Sequence, residues 1–377
     1  MDKPIDLYAK DGVNVSESDA FSAFAAREAA TTFSPFIKVR DWAKGHFRGP
    51  RTFMCVGLPA DVEFDVAADG IGTKVNFVNE AFSHFQAGAN VQAMCFGDIT
   101  RWGGKPLLFS NVLDVSTLGE RDTETNRLFR RAIVGLCSVA REQQVLVYRG
   151  ETAELGVCVG ADNPDAITKF NWAGFALGAY DPKRMITGEK MQNGDVVVAL
   201  RERSPRSNGY SSIRKAFELR FGKEWWKNPE AKLSIKAAAI PCTLYDRFLA
   251  KMNGWESLAF KPVHDVHGIA HITGGGIPGK FAKDILFPLG LSSELLDLWK
   301  PPSVVKESVE WRGMSDREAY KTFGAGQGAL VVVPAEQSDS FIYHARVDGI
   351  EAQSCGRVIA ANGTPSLRIR SKFLGAD

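Results

Sequence analysis

The first half of this chain alternates strand-length apolar runs with helix-length amphipathic ones, breaks once at Asp181-Pro182, and then resumes the alternation. That rhythm restricts the fold to layered architectures in which helices cover sheets. Phe64 to Ala68 reads as a strand closed by the glycine-rich Asp69-Gly70-Ile71-Gly72, and Pro106 to Leu113 as a second strand. Leu128, Phe129, Ala132, Ile133, Leu136, Cys137 and Ala140 recur at helical spacing, which predicts an amphipathic helix over 125–142. Val145 to Tyr148 follows as a strand, and Phe170 to Ala179, rich in Ala and Gly, as one that packs closely. Beyond the break, Val196 to Leu200 and Leu330 to Val333 read as strands, and Ser211 to about Phe221 as a helix stopped by Gly222. The 377 residues are too many for one ordinary core, so we expect two domains of α/β or α+β class, 1–183 and 184–377.

Charge narrows the function. With 46 basic and 44 acidic residues, the formal net charge is +2. Such a balance provides no field for gripping nucleic acid or an anionic membrane, so an anionic ligand must be held by local groups. Six cysteines occur without any C-x-x-C pair, which argues against a zinc knuckle and for mostly buried thiols. Met1 to Asp6 has no basic-then-apolar pattern of a signal peptide, and no run of about 18 apolar residues exists to span a bilayer. The expected location is the cytoplasm.

The chemistry concentrates at a few runs. Asp69-Gly70-Ile71-Gly72-Thr73-Lys74 follows a strand. Its glycines would let backbone N–H groups approach a phosphate, Lys74 offers a point charge, Thr73 a hydroxyl, and Asp69 a Mg²⁺ ligand. The Walker A spacing is absent, and a tight turn with a surface lysine is the plain alternative. Asp98, Glu151 and Glu154 are expected just past strand ends, comparable to Asp69, and the four together favour Mg²⁺ over simple turn acids. Ser207-Asn208-Gly209-Tyr210 opens a predicted helix, either an anion site or an ordinary cap. Thr273-Gly274-Gly275-Gly276 carries three glycines that pack nothing, which favours close approach of backbone to a ligand. His264, His267 and His271 share a helical face, but the spacing is too long for one metal ion, so structural or substrate-contacting histidines are expected. No G-x-S-x-G elbow is present.

These blocks, with Ala93 to Asp98, Gly150 to Glu154, Ala173-Gly174-Phe175 and Tyr320 to Gly326, occur in one order. In that order they resemble the phosphoribosylformylglycinamidine cyclo-ligase (aminoimidazole ribonucleotide synthetase) family over roughly residues 8 to 335, and Tyr8 to Val13 resembles its N-terminal segment. The resemblance implies an ATP-dependent ligase of purine biosynthesis that cyclises formylglycinamidine ribonucleotide to aminoimidazole ribonucleotide by phosphorylating the formyl oxygen. It implies a homodimer, with an N-terminal ATP/Mg²⁺ and dimerisation domain whose strands form a shared barrel, and a smaller C-terminal α/β-type domain. Carried over residue by residue, ATP and phosphate contacts fall on Asp69, Gly70, Gly72, Thr73, Lys74, Glu151 and Thr152. Mg²⁺ falls on Asp69, Asp98 and Glu151, and substrate contacts on Ser207, Asn208, Gly209 and Thr273 to Gly276. Lys74, Asp98 and Arg206 stand at the expected reaction centre.

The chain departs from the family pattern in places. A G-G-F-G loop is not recognisable between Ala29 and Leu58. Arg206 stands where the family has histidine, Gly97 where it has asparagine, Arg149 where it has glycine, and Asn90 and Asn171 where it usually has aspartate. An arginine cannot shuttle a proton at neutral pH. Two other readings therefore stay open: another ATP-using enzyme of the superfamily, such as a small-molecule kinase, or a non-catalytic nucleotide-binding homologue.

Overall fold

The computed structural model describes residues 15–41 and 51–373. The Tyr8–Val13 segment, and part of the stretch searched for a glycine loop, lie outside these residues. A first helix, α1 (Val15–Ala29), precedes a two-stranded antiparallel ribbon of β1 (Ile37–Asp41) and β2 (Arg51–Cys55).

Four strands then build one sheet: β3 (Glu63–Gly70), β4 (Lys105–Val115), β5 (Leu146–Glu154) and β6 (Phe170–Tyr180), in the order β3-β6-β4-β5. Only β4 and β5 run parallel, and the helix between them makes that crossover. Along β4, Phe109, Asn111, Leu113 and Val115 are buried while Ser110, Val112 and Asp114 are half-buried, so the strand has an inner and an outer face. The inner face is covered by α3 (His84–Thr100) and α4 (Glu124–Gln143), with α2 (Lys74–Ala81) leading into α3. α4 starts where the Thr123 hydroxyl accepts the Asn126 N–H and ends at Gln144 in the left-handed region. Glycines let the two covering helices approach closely. A Cβ at Gly135 would lie 1.7 Å from the Phe85 carbonyl oxygen, and one at Gly88 would lie 2.4 Å from Leu136 Cα.

The second half forms a six-stranded sheet from β7 (Val196–Arg201), β8 (Gly268–His271), β9 (Leu291–Leu295), β10 (Gln327–Val333), β11 (Ala352–Ala360) and β12 (Leu367–Ile369), in the order β12-β9-β11-β7-β10-β8. All of β10 is buried, so its sequence is continuously apolar after Gln327 and shows no alternation. The period of two still decides the packing. Val197, Ala199, Leu330 and Val332 join Phe217 and Trp225 on one side, and Val198, Leu200, Val331 and Val333 join Phe248 and Phe341 on the other. The covering helices include α5 (Tyr210–Phe221), α6 (Lys232–Ala238), α7 (Asp246–Met252), α8 (Ser303–Trp311), α9 (Asp316–Thr322) and α10 (Ser338–Val347). Between β8 and β9 the chain makes a π-helical stretch, Pro278–Leu286. The architecture is thus mixed α/β with a separate sheet in each half, as the alternation predicts.

Three local expectations are corrected. Asp98 lies inside α3 and not at a strand end, because the apolar Ala93–Gly97 stretch belongs to a 17-residue helix buried along nearly its whole length. Glu151 and Glu154 lie within β5, whose pairing with β4 continues past the apolar run to Val115–Glu154. His264, His267 and His271 share no helix: His271 ends β8, and the other two precede it.

Candidate active site

Strand register settles which acids can meet. Asp69 pairs with Gly174, which pairs with Asn111, which pairs with Gly150, so these four share one face. Asn111 is buried toward the helices, and Asp69 turns the same way, toward α3. One residue along, Gly70, Ala173, Val112 and Glu151 form the next row, so Glu151 points to the opposite, outer face. Asp69 and Asp98 are brought together, and Glu151 is not with them. Thr152, next to Glu151, turns back to the inner face. Among the described residues, no three His, Cys, Asp or Glu side chains converge as a ready-made metal cluster.

The electrostatics of the inner pair follow from this. Burial pushes the Asp69 carboxyl above the usual range, and the Asp98 charge adds to the push against the Gly70 N–H, which donates to Asp69 Oδ1 at 2.7 Å. Burial also raises Asp98. The His271 hydrogen bond and the positive charges of Arg101 and Lys280 outweigh it and hold Asp98 below the usual range. Two facing carboxylates of this kind gain from a shared cation.

The turn after β3 opens to solvent. Gly72 adopts φ +61°, and a Cβ there would meet nothing within 4 Å. Gly72 and Thr73 line a cleft of about 580 Å³ together with Asp114, Asp162, Asn171 and Asn76. Asp114 sits on the outer face at the end of β4, diagonal to Glu151. Sequence reading passed over Asp114, although it follows an apolar strand just as the acids it selected were thought to do. Thr73 Oγ1 and Ser211 Oγ are 3.5 Å apart, linking this turn to the start of α5.

Lys74 does not face the cleft. It is fully buried, and its ammonium donates to Asn90 Oδ1 at 2.7 Å and to the Ile240 carbonyl at 2.6 Å, 5.5 Å from the centroid of the Tyr210 ring. Burial drives its pKa down. The amine therefore ties α2 and α3 to the second half of the chain.

Arg206 is likewise enclosed. It and Ser207 hold φ values of +51° and +52°, positions that cost a non-glycine residue about 1–3 kcal/mol each. The guanidinium donates to His271 Nε2 at 2.8 Å, Glu202 Oε2 at 3.1 Å, the Thr243 carbonyl at 2.8 Å and the Ala93 carbonyl of α3 at 3.2 Å, and it stacks over Tyr245. Asn208 donates back to the Arg206 carbonyl at 2.7 Å and reaches Met94 Sδ at 3.8 Å. The Ser207–Gly209 loop thus packs on α3. α5 begins at Tyr210 with Gly209 before it and without a side-chain cap.

The triple glycine divides into two roles. A Cβ at Gly276 would lie 1.9 Å from the Tyr320 carbonyl oxygen, so packing against α9 requires that glycine. A Cβ at Gly274 would find only Asn208 Oδ1, at 3.8 Å, so Thr273–Gly274 and the Asn208 loop face a common space. His271, just before this loop, reads in sequence as a structural or substrate-contacting histidine in preference to a metal ligand. It lies 3.4 Å from Asp98 Oδ1 through Nδ1, and burial, helped by the Arg206 charge, lowers its pKa to about 4. The contacts that single it out join residues far apart in sequence, and no local pattern carries them.

Comparison with known proteins identifies the family. The sequence profile of the AIR synthase related protein N-terminal domain matches residues 54–177, and that of its C-terminal domain matches 192–366. Phosphoribosylformylglycinamidine cyclo-ligase of Synechococcus elongatus is 30% identical over 299 residues, 78% of this chain and 82% of the relative. The solved structure of thiamine-monophosphate kinase from Stenotrophomonas maltophilia K279a superposes with a TM-score of 0.57 at 12% identity, covering 93% of this chain and 95% of its own. Hydrogenase maturation protein HypE in complex with ATP superposes with a TM-score of 0.52 at 15% identity, covering 92% and 91%. By these matches, covering both halves, the chain belongs to the AIR synthase related protein family.

Proposed function

We propose that this chain is an ATP-dependent cyclo-ligase that converts formylglycinamidine ribonucleotide to aminoimidazole ribonucleotide, with ADP and phosphate as the other products. The observation that carries the reading is the meeting of Asp69 and Asp98 at the face where the Asn208 and Thr273–Gly274 loops of the second half arrive. The name of the relative at 30% identity supports the specific reaction. In it the γ-phosphoryl group passes to the formyl oxygen, an internal nitrogen attacks the formyl carbon, and phosphate leaves with the oxygen. The protein's contribution is alignment and charge neutralisation.

Asp69 and Asp98 suit Mg²⁺, which takes one or two carboxylates and completes its shell with phosphate oxygens and water. When bound, the ion would neutralise charge on the transferring phosphate. The Gly70–Thr73 turn takes the phosphates, and Glu151, with Asp114 beside it, serves the nucleotide from the outer face. Ser207, Asn208, Gly209 and Thr273 to Gly276 take the ribonucleotide. Lys74 and Arg206, enclosed as they are, support the centre through their neighbours. Phe64, Val66 and Phe175 expose 48%, 56% and 42% of their surface on the outer face of the first sheet, which supports a homodimer closing that face. Such an enzyme would work in the cytoplasm.

Purified protein given formylglycinamidine ribonucleotide, ATP and Mg²⁺ is expected to form ADP and aminoimidazole ribonucleotide in equal amounts. ATP binding without the aminoimidazole product would overturn the cyclo-ligase reading and leave a different acceptor.

A further inference from the structure

Arg206 cannot give or take a proton at neutral pH, yet it is among the most fully buried side chains of the molecule. Its position becomes informative through His271. A guanidinium N–H is always a donor, so His271 Nε2, 2.8 Å from Arg206 Nε, must be the bare, accepting nitrogen. A neutral imidazole with an accepting Nε2 carries its hydrogen on Nδ1. Nδ1 is the atom that faces Asp98 Oδ1, at 3.4 Å.

The ring is held from its flat side as well. A Cβ at Gly97 would fall 2.2 Å from His271 Cε1 and 2.5 Å from both ring nitrogens. The imidazole therefore lies against the bare backbone of α3, one residue before Asp98. Arg206 spans the same stretch, since its Nη2 donates to the Ala93 carbonyl one turn earlier. Glu202, fully buried, receives the other end of the guanidinium, and its second oxygen accepts from the Ser204 N–H and hydroxyl at 2.9 Å. Glu202, Arg206, His271 and Asp98 thus form one directional line across the two halves of the chain.

We propose that Arg206 is a positioning residue for Asp98: its Nε–H confines the His271 hydrogen to Nδ1, and His271, seated in the space left by Gly97, directs that hydrogen to Asp98 Oδ1. Oδ2 of Asp98 is then left to the cation. The role of Asp98 rests on the functional reading above, whereas the ring's tautomer does not. An outer partner that orients a metal-binding carboxylate changes metal affinity or activity by about 10–100-fold when removed.

The test is nitrogen NMR of full-length protein labelled in histidine, with the His271 signal assigned by its loss in His271→Gln. The proposal expects the Nδ1–H tautomer in the wild type. It expects that form retained in Arg206→Lys, which keeps a donor, and lost in Arg206→Met. Mg²⁺ titration of ATP turnover should give an apparent Mg²⁺ affinity about 10–100-fold weaker for Arg206→Met, with KM for the ribonucleotide unchanged. An Nε2–H tautomer in the wild type overturns the proposal, and so does an unaltered tautomer in a folded Arg206→Met. If Arg206→Met does not fold, the wild-type tautomer and the Gly97→Ala variant decide: displacing the ring should weaken Mg²⁺ affinity without raising KM for the ribonucleotide, and unchanged Mg²⁺ affinity overturns the proposal. Absence of aminoimidazole product in the wild type would sink the functional reading and leave the tautomer result standing.

Discussion

Thr100 Oγ1 donates a 2.8 Å hydrogen bond to Asp246 Oδ1, joining the end of α3 to the start of α7 across the two halves of the chain. Asp246 is completely buried and its other carboxylate oxygen has no partner. Burial raises its pKa to about 6, against the pull of Arg206 and the Thr100 hydroxyl. Between the ordinary carboxylate value and that raised value, the folded state holds a proton that the unfolded state has released. Folding stability from this group is therefore complete at low pH and lost as pH rises through about 6. The loss is on the order of 3 kcal/mol. Asp246→Asn, which cannot ionise, should remove that downward trend. Urea melts of both proteins from pH 4 to 7 measure it, and parallel profiles would refute the assignment.

His84 has the opposite sign. Thr168 donates to Asn79 Oδ1 at 2.6 Å and so accepts from His84 Nε2 at 2.7 Å, which leaves Nδ1 bare and without a partner. Burial, with the Arg131 charge, lowers the His84 pKa to about 4. Its contribution is present above the ordinary histidine value and lost as pH falls toward about 4, again on the order of 3 kcal/mol. His84→Gln should flatten the acid side of the stability profile between pH 6.5 and 4, measured by the same melts.

Gly135→Ala tests the helix contact behind the active face. The added methyl would press on the Phe85 carbonyl, a backbone atom that cannot swing aside. Overpacking of this kind costs about 1–3 kcal/mol, sometimes more. Thermal unfolding should show a lowered midpoint, whereas alanine at Gly349, where a Cβ would meet nothing, tests only the cost of its positive φ.

Asp98→Asn and Asp69→Asn should each reduce ATP turnover by at least about 10–100-fold, with circular dichroism unchanged. Raised Mg²⁺ should restore part of the loss. Glu151→Gln, on the other face of the sheet, should raise KM for ATP while leaving the Mg²⁺ dependence as in the wild type. Equal Mg²⁺ dependence in all three variants would contradict a cation held by the inner pair.

Val66→Glu and Phe175→Glu place charge on the exposed outer face. Sedimentation velocity should show a dimer for the wild type and a monomer for the double variant.

Much of the fold was legible because its signals are local. The helix predicted over 125–142 is Glu124–Gln143, and the strands around Phe64, Phe170 and Val196 fall where their apolar runs place them. Misreading began where burial hides periodicity. Ala93–Gly97 is apolar because α3 is buried nearly all round, and a short window of such a helix looks like a strand. β5 continues past its apolar part because pairing with β4 holds it, although Arg149, Gly150 and Glu151 lack strand character. At the site, Asp69 and the Gly72 turn were visible as a motif. The meeting of Gly97, Arg206 and His271 was not, because each reads as a separate oddity until the two halves are packed together.

The same packing bears on how ligands enter. Lys74 and Arg206 are buried at the seam, each donating hydrogen bonds to groups on both sides of it. Opening the seam would break both sets of hydrogen bonds at once, each bond to a charged group being worth about 1.5–3 kcal/mol. The seam behaves as a riveted joint, held from both halves of the chain. Ligand entry beside Gly72 and Thr73, into a cleft that neither Lys74 nor Arg206 lines, needs no opening of that seam.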